Sequence, residues 1–366
     1  MIEIIVIGAG VVGASVGYRL ARAGAAVTIL DAGTVGGGTS SASYAWTNSN
    51  DKPPRAYHDL NVGGMRAHAA LREEFGGAPW LHGGGCLEWA TDAARRAELR
   101  RRIERLRAWG YAAEEISAAR FAELEPDVDR ALVAEAAIAH FPEEGWLDPV
   151  VYAHAVARAA VRAGARLRTG VRVGAVRRDG GRVVGVTTDG GEAHGADVVV
   201  NCAGRWANDV AAGLAIPLAP TVGLLVLTPP VPARVRHLLR APDCHLRPDG
   251  GGRLMIHSDD IDEAATVETR PDPSLPGCVD LARRAARVLP SIAGVRPEAA
   301  RVGVRPMPAD GRSAVGPIPG VSGYYLVVTH SGVTLAPHLG ALVADEIVGG
   351  REDARLAPFR PARLLP

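Results

Sequence analysis

Three glycines in Gly8-Ala9-Gly10-Val11-Val12-Gly13 stand at a spacing that binds phosphate, and an acid, Asp31, follows 18 positions after the last of them. Each part has a physical reason. Gly8 permits a tight turn, Gly10 lets a pyrophosphate approach the backbone, and Gly13 lets a helix pack closely on a strand. A helix starting there presents free N–H groups and partial positive charge to phosphates. Asp31 can accept hydrogen bonds from a ribose diol, and its charge disfavours a 2′-phosphate.

The flanking elements are those such a site needs. Ile4–Ile7 reads as a buried parallel strand, apolar without alternation. Residues 14–22 read as a helix closed by Gly24, and Val27–Leu30 as the second strand, with Asp31 at its end. Strand, glycines, helix, strand and acid in register make a dinucleotide site a strong reading. The next segment, Gly36-Gly37-Gly38-Thr39-Ser40-Ser41-Ala42-Ser43, is a run of small residues where an NAD domain would continue to another helix. It suggests backbone passing close to a bulky ligand, with hydroxyls for its polar atoms, which favours FAD over NAD; a flexible surface loop is the alternative reading of the same composition.

Composition removes several other classes. A formal charge of +1 gives no field for nucleic acid or an anionic membrane. The positive charge is nearly all arginine; Lys52 is the single lysine. Cys86, Cys202, Cys244 and Cys278 form no CxxC pair, so neither a metal site nor a disulfide framework is expected. No apolar run has membrane-spanning length and no signal-peptide pattern is present, so a cytoplasmic protein is expected.

Four segments together resemble the D-amino acid oxidase superfamily, which includes glycine oxidase, sarcosine oxidase and the D-amino acid dehydrogenases. They are Gly8–Gly13 with Asp31, the Gly36–Ser43 loop, Asp197–Trp206 (DVVVNCAGRW), and Val304–Pro337 with its VRPMPADGRSAVGPIPG stretch. The resemblance implies an α/β fold: a Rossmann-type FAD-binding domain with an inserted antiparallel-sheet (α+β) substrate domain, of the glutathione-reductase-like kind. The expected FAD-binding domain is discontinuous, at 1–50, 142–215 and 306–366. Residues 51–141 and 216–305 would form the substrate domain, with strands at 216–228 and 253–257. The charged helix at 93–109 is expected to turn its arginine run to solvent.

The implied cofactor residues follow. Gly8, Gly10, Val11, Val12 and Gly13 would hold the pyrophosphate, with Asp31 and Ala32 at the ribose. Gly38, Thr39 and Ser40 would line the passage of the cofactor, and Val173 would back the adenine. Cys202-Ala203-Gly204 with Trp206 would close over the phosphates, Cys202 as a buried filler. The turn His330-Ser331-Gly332-Val333-Thr334 would aim a helix N-terminus at the flavin edge. FAD is expected to be non-covalent: no cysteine stands near the late arginine motif.

Arg305 matches the arginine that grips the substrate carboxylate in this family and would also border the flavin. A guanidinium suits the role because it binds a carboxylate through two parallel bonds. His245 stands where glycine oxidase has a tyrosine contacting the same carboxylate. Hairpin geometry can bring His257 to the flavin side, while Asp259, Asp260 and Asp262 read equally as a cation-attracting group or as a surface turn. Asn48 and His58 are further candidates for the flavin face. The lysine that sarcosine oxidases hold beside the flavin has no counterpart on the matching strand.

The activity implied is oxidation of the C–N bond of a small amine or amino acid (a D-amino acid, glycine or an N-alkyl amino acid). Hydride would pass to flavin N5, and the imine would hydrolyse. Oxygen or a quinone or other carrier would take the electrons. A 2-hydroxyacid dehydrogenase, a tailoring oxidase of a larger metabolite, and a flavin-binding subunit of a heteromeric complex are the alternatives.

Overall fold

Apolar β-branched runs at the start, middle and end of the chain assemble into one six-stranded sheet. The computed structural model describes residues 1–365 apart from 212, 214 and 220. The sheet order is Ala314–Pro317, Tyr324–Val328, Val198–Asn201, Glu3–Ile7, Ala26–Asp31, Arg166–Thr169. All neighbours are parallel except the first pair. Helices Val11–Arg22, Pro149–Arg162 and Gly332–Gly349 cover one face, and Tyr152, Leu335, Leu339 and Val343 are fully buried there. The antiparallel strands Val173–Asp179, Arg182–Thr188 and Ala193–Gly195 lie on the other, sharing a core with Ile5, Ile7 and Leu326. Burial on both faces explains why the inner strands Glu3–Ile7, Val198–Asn201 and Tyr324–Val328 read as apolar runs, while the edge strand Arg166–Thr169 does not.

The second sheet has eight strands in the order Ala299–Arg305, Thr221–Leu227, Leu254–His257, His245–Pro248, Leu238–Arg240, Cys86–Ala90, Ala137–Phe141, Glu114–Glu115. It is not wholly antiparallel as expected: Leu238–Arg240 pairs parallel with Cys86–Ala90, where one inserted segment meets the other. The expected strand at 216–228 occupies Thr221–Leu227, and Pro220 lies outside the described residues. Alternation sorts its side chains. Leu224, Val226, Leu246, Leu254 and Ile256 face helix Pro276–Val288 and a separate core. Gly223, Leu225, His245, His257, Gly303 and Arg305, the alternate residues, face the nucleotide-binding body.

The charged helix spans Ala93–Ala108, and its arginine run is not wholly solvated. Arg102 is buried and pairs with Glu88, because its face of the helix covers strand Cys86–Ala90. A small sheet of Trp46–Thr47, Gly145–Leu147 and Leu81–His82 had no sequence signal beyond the residues of FPEEGWLDP. No helix among the described residues is long and apolar enough to cross a membrane.

Candidate active site

A single cavity of about 830 Å³ runs from the glycine turn to the second sheet. At one end, Gly8 has φ +101°, and a Cβ there would stand 2.6 Å from the Cys202 carbonyl oxygen. A Cβ on Gly13 would overlap the Gly8 carbonyl, so Gly13 lies behind the cavity wall and lets the helix seat on the strand. Gly10, Val11 and Val12 line the cavity at a helix start with no side-chain cap and no acid in its first turn. Asp31 Oδ2 accepts from the Ala9 N–H at 2.6 Å and Oδ1 from the Gly33 N–H at 2.7 Å, which orients the carboxylate beside Ala32 in the cavity wall. Val173 lines the same end, as do Cys202, Ala203, Gly204 and Trp206. Burial pushes the Cys202 thiol far up, so it is an inert filler there.

The glycine loop becomes a short 3-10 turn, Thr39–Ala42, wedged against strand Ala299–Arg305. Thr39 Oγ1 donates to the Val304 carbonyl at 2.7 Å, and Ser40 Oγ accepts from the Val11 N–H at 3.2 Å. Gly303 permits the approach: a Cβ there would overlap the Ala42 carbonyl oxygen. This contact sets the height of Arg305, two residues on. Gly38 completes that wall of the cavity.

At the far end, the last helix begins at Gly332, inside the expected His330–Thr334 turn rather than after it, with Ser331 as an uncapped N-terminal residue. His330, Ser331, Gly332, Val333 and Thr334 line the cavity there. Helix Arg55–Glu74 braces the turn: His68 Nε2 lies 2.8 Å from the Val333 carbonyl and Tyr57 Oη 2.8 Å from Ser331 Oγ. Burial holds His68 down to about 4, and burial with the charges of Lys52 and Arg305 holds His330 down to about 3. Asn48 lines the cavity, whereas His58 does not. His58 is buried between Trp109 and Tyr111 with Ser49 as its partner, which overturns its candidacy.

The second sheet supplies the roof. His245 and His257 are register partners, and His245 Nδ1 lies 3.3 Å from His257 Nε2. Burial, Arg240 and His257 push His245 well below its ordinary value, so it is a neutral imidazole at pH 7. Arg305 Nη2 donates to the Val222 carbonyl at 2.9 Å and to Asp262 Oδ2 at 3.0 Å. Asp262 is therefore not part of a surface turn: it is 6% exposed, on helix Asp259–Ala264. Asp260 turns away to Arg284 and Asp259 remains exposed on the cavity rim. Arg305 Nε, His257 Nδ1 and Tyr44 Oη are buried with no hydrogen-bond partner among the described residues, and all three belong to cavity-lining residues. Tyr44 itself packs on His257 with ring centroids 4.2 Å apart, held by Arg247, which donates to its carbonyl at 2.7 Å.

Sequence reasoning passed over Tyr44, Trp46, Arg240 and Lys52, which also line the cavity. The signal available for Lys52 was that it is the single lysine and stands shortly after the glycine loop.

An elongated cleft met by two uncapped helix starts, an orienting acid at the second strand and glycines whose Cβ atoms would close it fits FAD. The comparisons agree. A family model described as FAD dependent oxidoreductase, DAO, matches residues 3–346. Glycine oxidase of Geobacillus kaustophilus is 30% identical over 99% of this chain and 97% of its own length. The crystal structure of that species' glycine oxidase superposes with a TM-score of 0.88 at 28% identity, covering all of both chains. L-Proline dehydrogenase from P. horikoshii shares the fold, with a TM-score of 0.88 at 21% identity over 99% of this chain and 97% of its own. The match over almost the whole length makes this chain a member of the DAO family of FAD-dependent oxidoreductases.

Proposed function

We propose that the chain oxidises the C–N bond of a small amino acid: glycine, a D-amino acid or an N-alkyl amino acid. The observation that carries the reading is Arg305, on the roof strand that the Thr39–Ala42 turn braces, with its side chain 31% exposed in the cavity lining. Under this reading residues 1–50, 142–215 and 306–366 hold the cofactor, and 51–141 and 216–305 form the substrate side.

Bound non-covalently, FAD supplies the electron sink for hydride removal from the substrate. Arg305 binds the substrate carboxylate and fixes the Cα–H direction, which is catalysis by orientation. Nη1 and Nη2 present the fork, Nη2 being shared with Val222 and Asp262. His245, held neutral, is placed to accept a hydrogen bond from the substrate amine without adding positive charge beside it, and hydride leaves readily once that amine is uncharged. His257 packs beside His245, its Nδ1 3.7 Å from Asp262 Oδ2, beyond hydrogen-bonding distance. Tyr44 and Leu225 exclude water beside them. The imine product hydrolyses in solvent, and oxygen or a quinone or other carrier takes the electrons.

Anaerobic mixing of the yellow protein with glycine, D-amino acids, N-alkyl glycines and 2-hydroxy acids tests this. Bleaching of the oxidised flavin band by the amines is expected. Bleaching by hydroxy acids alone overturns the reading.

A further inference from the structure

We propose that Lys52 forms a second anion subsite in the same cavity, selecting substrates that carry an acidic group besides the carboxylate held by Arg305. This rests on the amino-acid-oxidising reading and deepens it. Each arginine lining the cavity already has an internal carboxylate. Arg172 lies 3.6 Å from Asp189, Arg240 3.1 Å from Glu88, and Arg305 3.0 Å from Asp262. Lys52 lines the cavity too, partly buried, and has no hydrogen bond or ion pair among the described residues. A cation drawn out of water without a counter-ion is costly unless an anion arrives to meet it.

The surroundings favour an anion. Burial holds the Lys52 ammonium down to about 8, and Arg240 and Arg305 add to it as like charges. Asp51 and Glu144 oppose that shift without reaching bonding distance. Glu144 is itself spoken for: it accepts from Tyr111 Oη at 2.6 Å, Trp46 Nε1 at 2.9 Å and Asn50 Nδ2 at 3.2 Å. Asp51 faces Arg102 at 3.7 Å. A second carboxylate or a phosphonate on the substrate would relieve the mutual repulsion of Lys52, Arg240 and Arg305. Asp259, exposed on the rim, is the feature that would instead favour a cationic substituent, so charge sign is what the test must read.

Three achiral N-substituted glycines separate these possibilities in the FAD-loaded enzyme: N-carboxymethylglycine, N-ethylglycine and N-(2-aminoethyl)glycine. The expected result is a kcat/KM for the carboxymethyl compound about 10-fold above that for the ethyl compound, about 1.4 kcal/mol. Lys52→Gln should bring that ratio near one while leaving N-ethylglycine within about two-fold, and Lys52→Arg should preserve it. The ratio should decline above pH 8 as the ammonium loses its proton. Binding is read independently by perturbation of the oxidised flavin spectrum, where succinate should bind more tightly than propionate and lose that advantage in Lys52→Gln. A ratio near or below one in the parent enzyme, a faster aminoethyl compound, or equal losses on all substrates in Lys52→Gln would overturn the subsite. Failure of every amine to bleach the flavin would sink the amine-oxidising reading instead, and the succinate and propionate titration would still decide on Lys52.

Discussion

Asp262 Oδ2 sits 3.0 Å from Arg305 Nη2, while its Oδ1 accepts the Leu224 N–H at 2.8 Å. The carboxylate is almost wholly buried and the guanidinium is not. Asp262 thus holds Arg305 at a fixed angle, and it also competes with any incoming carboxylate for one of the guanidinium nitrogens.

That relationship sets the first prediction. Arg305→Met should lower kcat/KM for carboxylate substrates by at least about 100-fold, because a charge-assisted pair of hydrogen bonds is lost. It should also destabilise the protein by about 2 kcal/mol, since Asp262 is left buried without its cation. Adding Asp262→Asn should recover stability but not activity. A chemical-denaturation series on the two single variants and the double variant measures this, and additive losses would count against the coupling.

Gly303→Ala is expected to act at a distance. Its methyl group would meet the Ala42 carbonyl, so the 3-10 turn must move off the roof strand. The cost should be about 1–3 kcal/mol, with weaker FAD retention on dilution and a raised KM. Unchanged cofactor affinity would mean that the turn yields without disturbing the cleft.

Asp31→Asn removes the charge that orders the first turn through the Ala9 and Gly33 amides. Hydrogen bonds to a charged acceptor contribute about 1.5–3 kcal/mol each. FAD affinity should fall by about 10-fold or more, read by fluorescence titration of the apoprotein. Thermal stability of that apoprotein should fall as well, because both bonds are internal to the protein.

Acid should loosen the last helix first. His68 and His338 are both held down to about 4 by burial. A histidine with a depressed folded value contributes stability that is fully present above its unfolded value near 6.5. That stability is lost as pH falls from there through 4, by as much as about 3 kcal/mol for His68. His68→Gln, which can still donate to the Val333 carbonyl, should flatten the pH dependence of the melting temperature between 6.5 and 4. An unchanged slope would place the acid sensitivity elsewhere.

The legible parts of this fold were the local ones. Gly8 to Asp31 could be read because turn, helix and acid constrain each other within one βαβ unit. Arg305 could be read because a recurring stretch surrounds it. Asp262 was ambiguous, since its burial depends on a helix tucked under strand Thr221–Leu227, 38 positions away from Leu224. His58 was misplaced because position after the glycine loop says nothing about which side of helix Arg55–Glu74 faces the cavity. Lys52 belongs to neither a helix nor a strand, so no periodicity announced that it points inward.

The strand order of the six-stranded sheet has a consequence for biosynthesis. Glu3–Ile7 and Ala26–Asp31 leave the ribosome first, yet the neighbour of Glu3–Ile7 on its other side is Val198–Asn201, and that strand's own neighbour is Tyr324–Val328. At roughly 5–20 residues per second, an unpaired apolar edge at Val198–Asn201 persists for roughly 6–25 s before its partner is made. Such an edge is a template for pairing between nascent chains. Recombinant yield should therefore respond to expression temperature and holdase chaperones more than the stability of the finished protein would indicate.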